Sequence, residues 1–226
     1  MKNTKLLLSS LVACAAFSSA NAATITWEDY DITSNVSEVL TTGTIVEAVN
    51  LTSTPQVGTN PTLTFAGTTF TSIGTILNNS YNTDVWAPAV TGGTAAENAD
   101  YQSFLDYVDF SLNQGSGSAF TIDTFTGLTI GQDYVFQAWY AMADTETRTM
   151  TLIGDAASTD SNILQAGEYA IGTFTADAVT QDLIIQSSQS GIRFTGYQLR
   201  AVPEPSAYAL IAGCFGMAFV ASRRRI

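Results

Sequence analysis

Between residues 23 and 201 the apolar side chains come in short alternating runs, broken every few positions by Gly, Thr, Ser or Asn, and a 3.6-residue period persists in only one place. Alternation buries one face of a strand, whereas a helix needs an apolar stripe, so the pattern specifies many short strands. Candidate strands cover residues 24–27, 44–49, 62–65, 68–73, 120–125, 134–142, 148–153, 169–175, 181–187 and 192–200. A chain of 226 residues holds one sizeable domain and is too short for two comfortable ones. The expectation is a mainly β chain whose residues 23–201 form one antiparallel β-sandwich.

Local signals refine this. Phe65-Ala66-Gly67-Thr68 reads as a tight hairpin, with glycine supplying positive φ in the turn. Alternation over 148–154 predicts a hairpin partner for the 134–142 strand, and 169–175 with 181–187 predicts a second hairpin. The single helical period lies in 95–110, where Tyr101, Phe104, Leu105 and Val108 share one face. A short amphipathic helix on one edge of the sandwich is expected there, with its aromatics in the core.

The side-chain inventory excludes several chemistries. There is no histidine, which removes the usual neutral-pH base and the commonest transition-metal ligand. Ser-His-Asp and Cys-His sites are therefore excluded. Cys14 and Cys214 both lie in terminal apolar segments, so residues 23–201 contain no thiol for a disulfide, a zinc site or a nucleophile. Stability must come from packing, with calcium the one metal that the remaining side chains suit. The formal net charge is −12, and only Arg148, Arg193 and Arg200 are basic between the two ends. Such a surface repels phosphate backbones, so no nucleic-acid partner is expected.

The two ends carry their own patterns. Residues 1–22 begin with Lys2 and Lys5, continue through an apolar run, and finish Ala20-Asn21-Ala22. That is the layout of a secretory signal helix cut by signal peptidase after Ala22. Leu11-Val12-Ala13-Cys14 resembles a lipobox, but the apolar core before Cys14 is short and apolar character continues past it. At the other end, residues 207–222 are uncharged and mostly apolar, and Arg223, Arg224 and Arg225 follow directly. As a helix the segment spans about 24 Å, close to an inner-membrane core once neighbours are included. The arginines would stay cytoplasmic, leaving the domain outside.

The order Val202-Pro203-Glu204-Pro205-Ser206, apolar segment, arginine cluster resembles the PEP-CTERM sorting signal over about the last twenty-five residues. The resemblance implies recognition by an exosortase-type processing enzyme near the Pro-Glu-Pro motif. It also implies delivery to the cell surface or to an exopolysaccharide or biofilm matrix. Domain limits of 1–22, 23–201 and 202–226 follow. A second resemblance lies in Gly127-Leu128-Thr129-Ile130-Gly131-Gln132-Asp133-Tyr134, which is similar to the turn before a sandwich strand in fibronectin-type and galactose-binding-like domains. It implies a jelly-roll-like sandwich in which Leu128 plugs the core, Gly131 turns the chain and the Tyr134 hydroxyl bonds back to the corner.

Three sets of residues are candidates for chemistry. Tyr81 and Trp86 could stack on sugar rings of an extracellular polysaccharide while Asn82 and Asp84 bond its hydroxyls, because sugars offer apolar faces and polar edges. Glu28, Asp29 and Asp31 could supply hard oxygens to a structural calcium, as could Asp155 and Asp160 beside Ser158 and Thr159. Paired carboxylates such as Asp106 and Asp109 could in principle hydrolyse a glycan, but no motif singles out a pair. No catalytic residue is assigned, and the expectation is a structural or weak glycan-binding protein rather than an enzyme.

Overall fold

A computed structural model describes residues 23–51, 62–72, 79–81, 86, 88–106, 108–111, 115–142, 148–154 and 161–203. The chain is mainly β, with strands β1 Thr26–Asp31, β2 Thr44–Asn50, β3 Leu63–Phe65, β4 Thr68–Ser72, β5 Asn79–Tyr81, β6 Val108–Ser111 and β7 Ala119–Thr126 in its first half. β8 Asp133–Tyr140, β9 Met150–Ile153, β10 Ser161–Leu164, β11 Glu168–Thr175, β12 Thr180–Ser187, β13 Ile192–Phe194 and β14 Gly196–Ala201 follow. One α-helix, α1 Ala95–Leu105, and a short 3₁₀ turn, Val36–Glu38, are present among the described residues.

A seven-stranded sheet in the order β1-β11-β8-β14-β2-β4-β3 faces a four-stranded sheet, β10-β9-β12-β7, and a small third sheet, β13-β6-β5, flanks them. Pairing is antiparallel except between β2 and β4. The first core lies between the two larger sheets, where Phe136, Tyr140, Tyr197 and Leu199 meet Phe125, Met150, Leu152 and Ile185. A second core covers the opposite face of the large sheet, where Trp139 and Tyr169 are packed under Phe65, Phe70, Trp86, Tyr101 and Phe104. The large sheet is thus the middle layer, which is why β8 is buried from Tyr134 to Tyr140 without alternation.

As expected, α1 packs at one edge, against β3 at the end of the seven-stranded sheet, and Phe104 reaches in over the sheet's face to meet Trp139 edge-on at 5.2 Å and 83°. It approaches this closely because residue 196 is glycine. A Cβ there would stand 2.5 Å from the Val49 carbonyl oxygen and 2.6 Å from the Phe104 ring. Thr94 and Glu97 form a reciprocal capping box at the helix start. Asp106 caps the other end, so the helix stops short of 110 and Val108 belongs to β6. The local period could not show that Val108–Ser111 pairs with β5 and β13.

Other expectations need the same kind of correction. The 65–68 hairpin is present, with both Ala66 (φ 49°) and Gly67 (φ 68°) left-handed. β8 and β9 are not hairpin partners, nor are β11 and β12: in each case the chain crosses between facing sheets. Their inward residues meet through the core instead, which gives the same alternation. The 192–200 run is two strands, because Thr195 leaves the third sheet for the middle one, its N–H bonding the Trp139 carbonyl at 3.0 Å. The first strand runs to Asp31, past the expected end at 27.

A buried polar ladder ties the 38–43 segment to the middle sheet. Gln137 donates to the Glu38 carbonyl and accepts from the Leu40 N–H, both at 2.9 Å. Gln198 donates to the Leu40 carbonyl at 3.1 Å and to Gln137 at 2.8 Å. Arg200 donates to the Thr41 and Gly43 carbonyls at 2.9 and 3.0 Å, to Gln198 at 3.0 Å and to the Thr68 hydroxyl at 2.5 Å. All four acceptors are neutral, and burial alone lowers the pKa of the guanidinium.

Candidate functional site

Two carboxyl groups converge at one margin of the sandwich. Glu47 sits on β2 opposite Leu199 of β14, on the face turned toward the four-stranded sheet. Asp123 comes from β7, the edge strand of that sheet. The β7–β12 register slips there, so Ile122 has no partner between Thr121 and Asp123. A bulge of this kind re-aims the side chains beside it. Tyr197 reaches between them from β14. Its ring is fully buried against Phe125 and Phe136 at 5.7 and 5.8 Å, and its hydroxyl donates to Asp123 at 2.5 Å.

Glu47 lies beside Asp123 and Tyr197, near enough for both to act on its carboxyl. Burial, then the negative charge of Asp123, raises its carboxyl pKa to about 7, while the Tyr197 hydroxyl pulls the other way. Burial and the two carboxylates push Tyr197 far above its ordinary range. With that pKa Glu47 is protonated in part at neutral pH, which makes it a competent proton donor or acceptor. Nothing in the sequence announces this trio, because its members lie on three strands far apart in the chain.

A pocket of about 390 Å³ opens at one end of the middle sheet, lined by Thr24, Thr26, Asp133, Tyr134, Thr173, Phe174, Thr175 and Val202. Tyr134 and Phe174 of its lining stack on each other at 5.5 Å, and both are almost fully buried. The adjoining corner has the expected form. Leu128 is buried, Gly131 has φ 86°, and the Tyr134 hydroxyl accepts the Thr129 N–H at 2.9 Å. Val202, the first residue of the expected sorting motif, is tied into this corner. Its N–H donates to the Asp133 carbonyl at 2.8 Å and its carbonyl accepts from Gln132 at 2.5 Å.

The sequence-derived candidates fall as follows. Trp86 is buried in the second core and its indole N–H donates to the Ser34 hydroxyl at 2.6 Å, so its ring is no exposed platform. Tyr81 ends β5. Asn82 and Asp84 lie outside the described residues, as do Asp155, Ser158, Thr159 and Asp160. Glu28, Asp29 and Asp31 stand in β1 rather than in a loop, and strand alternation puts Glu28 on the face opposite the two aspartates. Glu28 accepts the Tyr30 hydroxyl at 2.5 Å, and Asp29 accepts from Asn162 on β10. Among the described residues no cluster of three metal-binding side chains occurs. Asp106 accepts the Trp86 backbone N–H and the Gln102 amide at 3.1 and 2.9 Å, and Asp109 is on β6, so the two are not helix neighbours.

Ala20, Ala22, Glu204, Pro205, Ser206 and Arg223 to Arg225 lie outside the described residues. Among those described, no helix is long and apolar enough to cross a membrane. No family model matches the chain, and comparison with curated proteins and with solved structures found no match.

Proposed function

We propose that the chain is an exported surface protein that is cut by signal peptidase after Ala22 and anchored through residues 207–222. Residues 202–206 are then the motif read by an exosortase-type enzyme. The jelly-roll-like domain serves a structural or weak glycan-contact role in an extracellular matrix. The observation that carries this reading is the way the fold hands over to the motif. β14 is a central strand of the middle sheet, it ends at Ala201, and Val202 is pinned at the domain surface by two hydrogen bonds. Pro203, which has no N–H to continue the ladder, follows at once. A motif presented without a linker on a rigid support suits a processing enzyme.

Burial of Trp86 favours the structural version over the lectin-like one. Replacing Arg223, Arg224 and Arg225 by alanine should shift the protein from the membrane fraction to other fractions. Unchanged fractionation would overturn the anchor. Probing the purified protein on a glycan array, with and without calcium, separates the two versions of the domain's role: no signal in either condition leaves the structural one.

A further inference from the structure

We infer that the end of the sandwich carrying Ile130 and Val179 is seated on the outer face of the bilayer, an inference that rests on the anchoring role proposed for residues 207–222. Ile130 and Val179 are two of the most exposed large apolar residues, at 63% and 56%. They lie far apart in sequence yet belong to one unit. The Leu128 N–H bonds the Val179 carbonyl at 3.0 Å, the Gly131 N–H bonds the Ala176 carbonyl at 2.7 Å, and the Ala176 N–H bonds the Gln132 carbonyl at 3.0 Å. Gln132 also holds the Val202 carbonyl, so the point where the chain leaves the domain belongs to the same unit.

The length of the connection fixes the distance. Only Glu204, Pro205 and Ser206 separate Pro203 from the uncharged segment that starts at Ala207. Fully extended, those residues reach about 10 Å. The headgroup layer on each side of a bilayer is roughly 5–7 Å deep. An anchored domain therefore cannot stand clear of the membrane at this end, and two protruding aliphatic side chains beside its exit point gain by entering the interface. Charge selects the lipid: Asp133 and Asp177 lie at or beside this end and Glu204 follows Pro203 in the sequence, so it suits a zwitterionic rather than an anionic surface.

The test uses the full chain in phosphatidylcholine vesicles whose acyl chains carry bromine, a contact quencher of tryptophan. Ile130→Trp and Val179→Trp are compared with Ile163→Trp, placed at an equally exposed position on the edge strand β10. Vesicle flotation is measured first. Seating predicts that the chain floats and that the fluorescence added at 130 and 179 is quenched at least about twofold more than that added at 163. Flotation with equal quenching at all three sites overturns the seating and leaves the anchor standing. Failure to float overturns both.

Discussion

Tyr197 on β14 donates its hydroxyl to Asp123 on β7 at 2.5 Å, a bond that joins the middle sheet to the edge strand of the facing sheet. Glu47 completes the contact, and its raised pKa makes the join depend on pH. An unfolded glutamate titrates near 4.3. The folded group, at about 7, keeps its proton over the interval between the two values, so its contribution to stability is fully present below pH 4.3 and is lost as pH rises through 7. The full shift would correspond to about 3–4 kcal/mol; because Glu47 is only half-buried, solvent screening reduces it to about 1–2 kcal/mol. Glu47→Gln should therefore be more stable than the parent at pH 7.5 by about 1 kcal/mol and nearly equal to it at pH 4.5. Urea unfolding at the two pH values measures this, and a pH-independent difference would refute it.

Tyr197→Phe separates the hydroxyl from the ring. The ring keeps its place among Phe125, Phe136 and Phe194, but the bond to Asp123 is lost. A hydrogen bond to a charged acceptor contributes about 1.5–3 kcal/mol, which sets the expected loss. Because the hydroxyl also lowers the Glu47 pKa, that pKa should rise further in the variant. Carboxyl carbon NMR titration reads the shift, and an unchanged or lowered value would contradict the geometry.

Gly196 marks the closest approach of α1 to the middle sheet. Gly196→Ala puts a methyl group against the Val49 carbonyl oxygen and the Phe104 ring, and backbone cannot yield as a flexible side chain can. Overpacking of this kind costs about 1–3 kcal/mol, with the upper end expected here. Adding Phe104→Leu should recover only part of the loss, since the clash with Val49 remains. Thermal unfolding of the single and double variants tests both statements.

The strands were legible in the sequence because their alternation is local, and the Leu128–Tyr134 corner because its turn chemistry is local. Partnership between strands was not. Met150 and Leu152 alternate as a hairpin partner of β8 would, yet they face Phe136 and Tyr140 across the core from the other sheet. The helix was found but overextended, since Val108 keeps the helical spacing while pairing as a strand. Trp86 looked like a binding aromatic because it sits in a polar stretch. Its burial depends on α1 and also on Ser34 and Gly167, which lie far from it in sequence. The trio of Glu47, Asp123 and Tyr197 was invisible for a like reason: one bulge and three strands assemble it.

Ala66 occupies a left-handed position that an alanine adopts only at a cost of about 1–2 kcal/mol. Two successive positive-φ residues suit the primed hairpin turn for which Asn-Gly is the favoured pair. Ala66→Asn should stabilise the protein by about 0.5–1 kcal/mol, visible as a higher urea midpoint with an unchanged slope. A lower midpoint would show that the turn does not hold this conformation.

Arg200 supplies the last test, because its buried guanidinium holds the 38–43 segment through neutral acceptors alone. Arg200→Met fills much of the same space but leaves the Thr41 and Gly43 carbonyls without their donor. Unsatisfied buried carbonyls cost about 1–3 kcal/mol each when water cannot reach them, and partial access here sets the expected loss at about 2–4 kcal/mol. Arg200→Lys keeps the charge, but a single ammonium cannot reach acceptors arranged around a planar fork, so it should recover less than half of the loss. The effect should also be local. The Leu40 N–H, bonded to Gln137 within the same ladder, should lose hydrogen-exchange protection before the amides of β8 do. If methionine and lysine variants both unfold within about 0.5 kcal/mol of the parent, the ladder does not secure this segment.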